Sequence, residues 1–104
     1  MNVALIGSGS WGTAVAGLAA ARAERVTMWA HSEQTAAGIN AEHRNPRYLV
    51  DYELPHNVVA TTDLTQALKG AEAVIFAVPS THLRGVCHQA APSIANETPV
   101  LCLT

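Results

Sequence analysis

Short apolar runs punctuate this chain, each followed by a longer segment of mixed small and polar residues. The first, Asn2-Val-Ala-Leu-Ile6, leads towards residues 13–22, whose small apolar residues carry a helical pattern. Arg25–Trp29 reads as a second strand. Ser32 stands where a helix over Glu33–Glu42 needs its cap, and Glu33 falls in the first turn, where a carboxylate suits the helix dipole. Asn45-Pro-Arg-Tyr-Leu49 breaks that helix and opens a polar, irregular excursion through Pro55. Residues 57–60 are short and β-branched, a third strand. Thr62 or Asp63 caps a helix through Leu68, and Gly70 stands where a C-terminal glycine stops one. Residues 73–78 are continuously apolar, as a parallel strand covered on both faces must be. Pro79-Ser80 ends that run, a helix over residues 81–91 follows, and residues 99–103 read as a fifth strand. Strands alternating with helices through short connections predict an α/β fold with a doubly wound parallel sheet.

The first strand runs directly into Gly7-Ser8-Gly9-Ser10-Trp11-Gly12, a G-x-G-x-x-G loop that opens a helix. Alone the pattern is weak, and a glycine-rich turn in an unrelated α/β domain competes with it. Strand, loop and helix in that order are what a dinucleotide pyrophosphate requires. Gly7 permits the tight turn out of the strand, Gly9 leaves a diphosphate room against the backbone, and Gly12 lets the helix pack closely on the sheet. The first-turn amides have no intrahelical partner and lie at the positive end of the helix dipole, ready for an anion.

Composition narrows the partners. With 49% hydrophobic and 13% charged residues, the 104-residue chain is one domain that needs no staples. A net charge of −2 without a Lys/Arg cluster argues against nucleic acid or an anionic membrane as partner. No apolar run approaches the roughly 20 residues of a membrane span. No basic leader precedes the first strand, so no secretory signal is read and the expected location is cytoplasmic. Cys87 and Cys102 form no metal or redox spacing and are expected to be buried free thiols. Thr104 falls just beyond the fifth strand, where the ligand crevice of an open sheet lies, so the expectation is an N-terminal portion of a longer enzyme.

The end of the second strand bears on the choice of cofactor. An NAD-preferring site places Asp or Glu there, about 20 residues past the glycines, to accept from the ribose 2′-hydroxyl. Here Trp29-Ala30-His31-Ser32 occupy the place, and the first carboxylate is Glu33. A carboxylate would repel a 2′-phosphate, whereas His31 and Ser32 can donate hydrogen bonds to one, so NADP fits better than NAD. His31 could also be a surface histidine beside a helix start, and Ser32 a plain helix cap. Ser10 offers an amide and a hydroxyl to phosphate, or is a turn serine. Trp11 either packs on the cofactor near the pyrophosphate or covers the sheet edge, which the residues alone leave open. Tyr48 reads as an anchor of the excursion to the core rather than a cover over the crevice. No catalytic constellation can be assembled. Lys69, the only lysine, is assigned to the end of a surface helix, and His43, His56, His82 and His88 read as ordinary surface or helix histidines with no metal spacing.

Several blocks in order resemble the bacterial glycerol-3-phosphate dehydrogenases. They are Gly7-Ser-Gly-Ser-Trp-Gly-Thr-Ala-Val-Ala16, Trp29-Ala-His31, and Ile39-Asn40 leading to His43-Arg-Asn45-Pro-Arg-Tyr48-Leu49, then Leu54-Pro55, Ala60-Thr-Thr-Asp63-Leu and Ala77-Val-Pro-Ser80. The chain departs from that family at Val50-Asp51-Tyr52-Glu53, where Pro-Gly and then an aliphatic or basic residue are common, which bears on the covering loop. The resemblance implies that residues 1–104 are a Rossmann-type NAD(P)-binding domain, with cofactor contacts from Ser10, Trp11, His31 and Tyr48 beside Gly7, Gly9 and Gly12. It draws Trp11 and Tyr48 towards the cofactor. It further implies an enzyme that reduces dihydroxyacetone phosphate to sn-glycerol 3-phosphate with NAD(P)H for phospholipid synthesis. The family's two lysines, one in a Lys-Gly pair after the fifth strand and one in a helical second domain, would lie beyond Thr104, so these residues alone are expected to be inactive. A homodimeric parent is compatible with this and not fixed by the sequence. The alternatives are the cofactor domain of a ketopantoate reductase or 3-hydroxyacyl-CoA dehydrogenase, against which residues 45–49 speak, and a non-catalytic dinucleotide sensor.

Overall fold

A computed structural model describes residues 1–103. The elements follow as β1 (Asn2–Ile6), α1 (Ser10–Ala20), β2 (Arg25–Trp29), α2 (Glu33–Glu42), β3 (Val58–Thr61), α3 (Leu64–Leu68), β4 (Ala73–Phe76), α4 (Ser80–Ala90), a 3-10 turn (Ala91–Ser93) and β5 (Val100–Cys102). All five strands are parallel, in the order β3-β2-β1-β4-β5. The two-residue alternation of β1 explains its central place. Val3 and Leu5 join a core with Val26 and Met28 of β2, Val15 and Ala16 of α1 and Ile39 of α2. Ala4 and Ile6 point the other way, into a core with Val74 and Phe76 of β4, Ala67 and Leu68 of α3 and Ala90 of α4. β1 therefore buries both faces, as a central parallel strand with an unbroken apolar run must.

β2 and α2 have the bounds read from the sequence, and Asp63 rather than Thr62 caps α3, its carboxylate accepting from the Gln66 amide at 3.2 Å. Other bounds differ for local reasons. The loop proper is only Gly7–Gly9, because Gly9 is the N-cap and Ser10 to Gly12 already form the first turn of α1. At the other end, the Asn57 side-chain amide donates to the carbonyls of Ala20 (2.9 Å) and Ala23 (3.0 Å) and ties the exit of α1 to the start of β3. β4 leaves the ladder at Phe76, its neighbour having turned away at Gly7, although Ala77 and Val78 stay buried. β5 corrects an expectation. It is an edge strand paired only with β4, and Val100, Leu101 and Cys102 are all exposed. Both cysteines are free, but Cys102 lies on that open edge and Cys87 is half-buried in α4, so neither is a buried thiol.

The opposite edge is closed. Along β3 the carbonyls of Asn57 and Thr61 bond to β2, so those of the alternate residues face outward. There the Asn40 carboxamide of α2 donates to the Ala60 carbonyl at 2.9 Å and accepts from the Ala60 amide at 2.8 Å. One side chain thus occupies a site where another strand could pair. Residues 44–56 form the excursion, pinned by fully buried Leu54, whose amide bonds the His43 carbonyl at 2.7 Å. The family-divergent stretch makes a turn in which the Tyr52 amide bonds the Leu49 carbonyl at 2.9 Å and Leu49 takes a left-handed φ of 53°. Tyr52 then lays its hydroxyl on α1 where Gly17 has no side chain. Among the described residues no helix is long and apolar enough to cross a membrane.

Removing the edge cover should be measurable. Asn40→Ala should lower the unfolding free energy by about 1–3 kcal/mol, since it strips both partners from the Ala60 backbone. Urea denaturation reads this directly, and an unchanged midpoint would contradict the role given to Asn40.

Candidate functional site

The strand order reverses at β1. Its chain leaves to α1 on one face of the sheet, while that of the adjacent β4 leaves to α4 on the other. Connections parting in opposite directions open a crevice at the strand ends, the place where open α/β sheets receive ligands. Here it is a cleft of about 980 Å³.

Three glycines form its floor, for different reasons. Gly7 has a φ of +141°, and a Cβ there would come 2.5 Å from the Ala77 carbonyl oxygen, so it lets the exits of β1 and β4 touch. A Cβ on Gly12 would come 2.9 Å from the Gly7 carbonyl oxygen and 3.7 Å from the Ala77 side chain. Gly12 thus packs α1 on the loop and the β4 exit rather than on the sheet at large. At Gly9 a Cβ would meet nothing within 4 Å. The protein itself has no need of a glycine there, and the space it leaves belongs to the cleft.

Helix capping separates the same region from the rest. Ser32 caps α2, its hydroxyl accepting from the Thr35 amide at 3.2 Å, and Asp63 caps α3. Neither α1, with Gly9 as N-cap, nor α4, with Pro79, has a side-chain cap or an acidic residue in its first turn. Both of these bare N-termini border the cleft. Unpaired amides at the positive end of a helix dipole are complementary to phosphate. The lining matches them, since among the described residues no aspartate or glutamate lines the cleft, whereas Arg47, His31 and His82 do.

The carboxylate nearest in sequence is turned elsewhere. Glu33 accepts from the Thr62 hydroxyl at 2.6 Å, at the end of β3. Ser32 caps α2, its hydroxyl accepting from the Thr35 amide and donating to Thr35 Oγ1 at 3.0 Å, and it also stands in the cleft lining. His31 is exposed on the rim. Its amide donates to Ser8 Oγ at 3.4 Å and its ring stands edge-on to Trp29, 6.3 Å between centroids. Ser10 lies on the exposed first turn of α1 in the lining. Trp11 lines the cleft and reaches the end of β5, where its indole N–H donates to the Leu103 carbonyl at 2.9 Å. Tyr48 is not the anchor of the excursion. It is 41% exposed and lines the cleft, with the Arg47 guanidinium 5.8 Å from its ring centroid, while Leu54 and Asn45 do the anchoring. Lys69 closes α3 as its C-cap, away from the cleft lining, as expected.

Sequence reasoning missed the second wall. Thr81, His82, Gly85, Val86 and Gln89 line the cleft from α4, so His82 is more than an ordinary helix histidine. Their spacing is one helical face, and a strand order known in advance would have aimed that face at the crevice. His43 and His56 are also less ordinary than expected, their rings stacked at 3.9 Å between centroids where the excursion begins and ends.

An open parallel sheet with an uncapped, glycine-led helix at the reversal of strand order is the Rossmann-type dinucleotide-binding class. The chain matches, over residues 2–104, the family described as NAD-dependent glycerol-3-phosphate dehydrogenase N-terminus, and it belongs to that family. It is 42% identical over 103 residues to the glycerol-3-phosphate dehydrogenase (NAD(P)+) of Corynebacterium aurimucosum, covering 99% of this chain and 31% of that one. The enzyme of the same name from Alcanivorax borkumensis is also 42% identical, with 99% and 30% covered. The crystal structure of glycerol-3-phosphate dehydrogenase from Coxiella burnetii superposes with a TM-score of 0.88 at 32% identity, covering 97% of this chain and 31% of that one. A ketopantoate reductase from Ralstonia eutropha is less similar, with a TM-score of 0.77 at 26% identity over 96% of this chain and 33% of that one. The chain spans about a third of the length of the curated relatives it matches.

The unequal roles of the glycines can be separated by stability alone. Gly7→Ala should cost roughly 2–4 kcal/mol through backbone strain and overlap with Ala77. Gly9→Ala should cost less than about 0.5 kcal/mol, as at an open surface position. Chemical denaturation of the two variants distinguishes them, and equal losses would contradict the division.

Proposed function

We propose that residues 1–104 are the NAD(P)-binding domain of a longer glycerol-3-phosphate dehydrogenase, and that the cleft takes NADP(H) at least as readily as NAD(H). The observation that carries this is the uncapped N-terminus of α1, open at Gly9, in a cleft that no aspartate or glutamate lines among the described residues. The pyrophosphate lies on the amides of Ser10, Trp11 and Gly12, where Gly7 and Gly9 hold the loop close and clear. The adenosine half extends to His31, Tyr48 and Arg47, whose charge and donors suit a 2′-phosphate and whose surroundings offer no acidic acceptor to exclude one. Trp11 borders the path, and the nicotinamide half points towards α4.

Bound there, the cofactor would supply a hydride to the carbonyl of dihydroxyacetone phosphate, giving sn-glycerol 3-phosphate, a precursor of phospholipids. That step needs the carbonyl held within reach and a proton for the developing alkoxide. No lysine lines the cleft among the described residues. The groups that orient and protonate the substrate therefore belong to the remainder of the enzyme, and the 104 residues alone bind without turnover. The enzyme on this proposal is cytoplasmic, has no nucleic-acid partner, for want of a Lys/Arg cluster, and is compatible with a homodimer.

Calorimetric titration tests the proposal. The chain should bind NADPH, and Gly9→Val should abolish binding while keeping its melting transition, because the new side chain fills space only a ligand uses. His31→Asp should shift preference towards NAD(H) by on the order of tenfold, equivalent to about 1.4 kcal/mol. Undiminished binding by Gly9→Val would remove the loop as the phosphate site, and an unmoved preference would place His31 outside the adenosine site.

A further inference from the structure

Asn45 is fully buried, although Pro46, Arg47 and Tyr48 after it are exposed. A carboxamide has two donor and two acceptor positions, and burying it is costly unless they are filled. Here all four are. Nδ2 donates to the Ser8 carbonyl at 2.8 Å and to Thr13 Oγ1 at 2.9 Å, and Oδ1 accepts from the amides of Arg47 at 2.9 Å and Tyr48 at 3.1 Å. Thr13 is itself fully buried on α1. One side chain therefore joins the glycine loop, the start of α1 and the turn that carries two rim residues of the cleft.

The rest of the turn leaves Asn45 little freedom. Pro46 seats its ring on α2 at Gly38, where a Cβ would come 2.9 Å from the proline Cδ. Ser8, the loop partner of Asn45, also accepts from the His31 amide through its hydroxyl. The loop is thus tied to both parts of the rim, to His31 through the Ser8 side chain and to Arg47 and Tyr48 through the Ser8 carbonyl and Asn45.

We infer that Asn45 is a positioning residue for the dinucleotide, fixing the Arg47–Tyr48 rim against the glycine loop so that pyrophosphate and adenosine are gripped in one geometry. This rests on the cleft being a dinucleotide site. Asn45 touches no ligand on this account and acts by holding the Arg47–Tyr48 turn to the Ser8 carbonyl and to Thr13. An ordinary loop anchor would lower stability and weaken binding to the same degree whether or not Arg47 and Tyr48 keep their side chains.

The test is a double-mutant cycle on the 104-residue chain, with NADPH affinity measured by calorimetry. Asn45→Asp keeps the acceptor for the Arg47 and Tyr48 amides and loses both donors to the loop and α1. It should raise the Kd for NADPH on the order of tenfold. In a background carrying Arg47→Ala and Tyr48→Ala the same change should cost about threefold less, the remainder being the donors lost to the loop itself. Equal factors in the two backgrounds, or full affinity in Asn45→Asp, would overturn the inference. Thr13→Val, close in shape, provides a milder variant should Asn45→Asp fail to fold, with a several-fold effect expected under the same cycle. Amide hydrogen exchange tests the coupling without ligand. Thr13→Val should speed exchange at the Arg47 and Tyr48 amides, which it does not touch, and unchanged exchange there would overturn the coupling. A wild-type chain that fails to bind NADPH would instead defeat the dinucleotide reading, and the exchange result would still decide the link.

Discussion

The contact between the exits of β1 and β4 governs the rest of this domain. Adjacent parallel strands whose chains leave to opposite faces must part at a point where the backbones still touch, and here that point is Gly7 against Ala77. No side chain fits between them. Because Gly7 turns at a φ of +141°, α1 begins only three residues later, and Gly12 brings its first turn down on the Gly7 carbonyl. The bare end of α1 is thereby aimed over the strand ends rather than into solvent. The site follows from that: uncapped amides, open space at Gly9, and two helices diverging as walls. A side chain at Gly7 would disturb the strand exit, the helix and the floor of the cleft together.

Side-chain amides supply the hydrogen bonds that regular structure lacks at three places. Asn57 closes the exit of α1, Asn40 covers the free edge of β3, and Asn45 binds the irregular turn to the glycine loop. In each case a carboxamide, donor and acceptor at once, stands in for a peptide group at a point where the chain changes direction. The consequence reaches function at Asn45. A 13-residue polar excursion could be mobile at such a position, yet the segment from Asn45 to Tyr48 is held to the most constrained part of the fold. The rim of the cleft is thereby hydrogen-bonded to its floor.

Much of this was legible in the residues. The alternation in β1, the continuous run in β4 and the capping of α2 and α3 by Ser32 and Asp63 are local signals, and the elements form where those signals lie. The glycine loop was legible because backbone geometry demands its residue type. What escaped depended on topology. The α4 face carrying Thr81, His82 and Gln89 acquires meaning only once the strand order reverses at β1. Cys102 was expected to be buried because a short apolar strand reads the same in the middle of a sheet as at its edge. Asn45 was legible as a helix breaker, but its partners at Ser8 and Thr13 lie more than 30 residues away, beyond any local pattern. Arg47 escaped for the same reason, since an arginine in a polar loop is unremarkable until the loop is seen to border the cleft.

On the function proposed above, the Gly7–Gly12 loop, the His31 end of β2 and the Asn45-held rim form one anion-binding surface. Titrating NADPH into the isotope-labelled chain, with the backbone amides followed by nuclear magnetic resonance, tests it most directly. The account predicts the largest shifts at Gly9, Ser10 and Trp11, with His31 and Tyr48 moving at the same ligand concentration and Lys69 on α3 unmoved. Largest shifts around Lys69, or His31 and Tyr48 titrating apart from the loop, would contradict it.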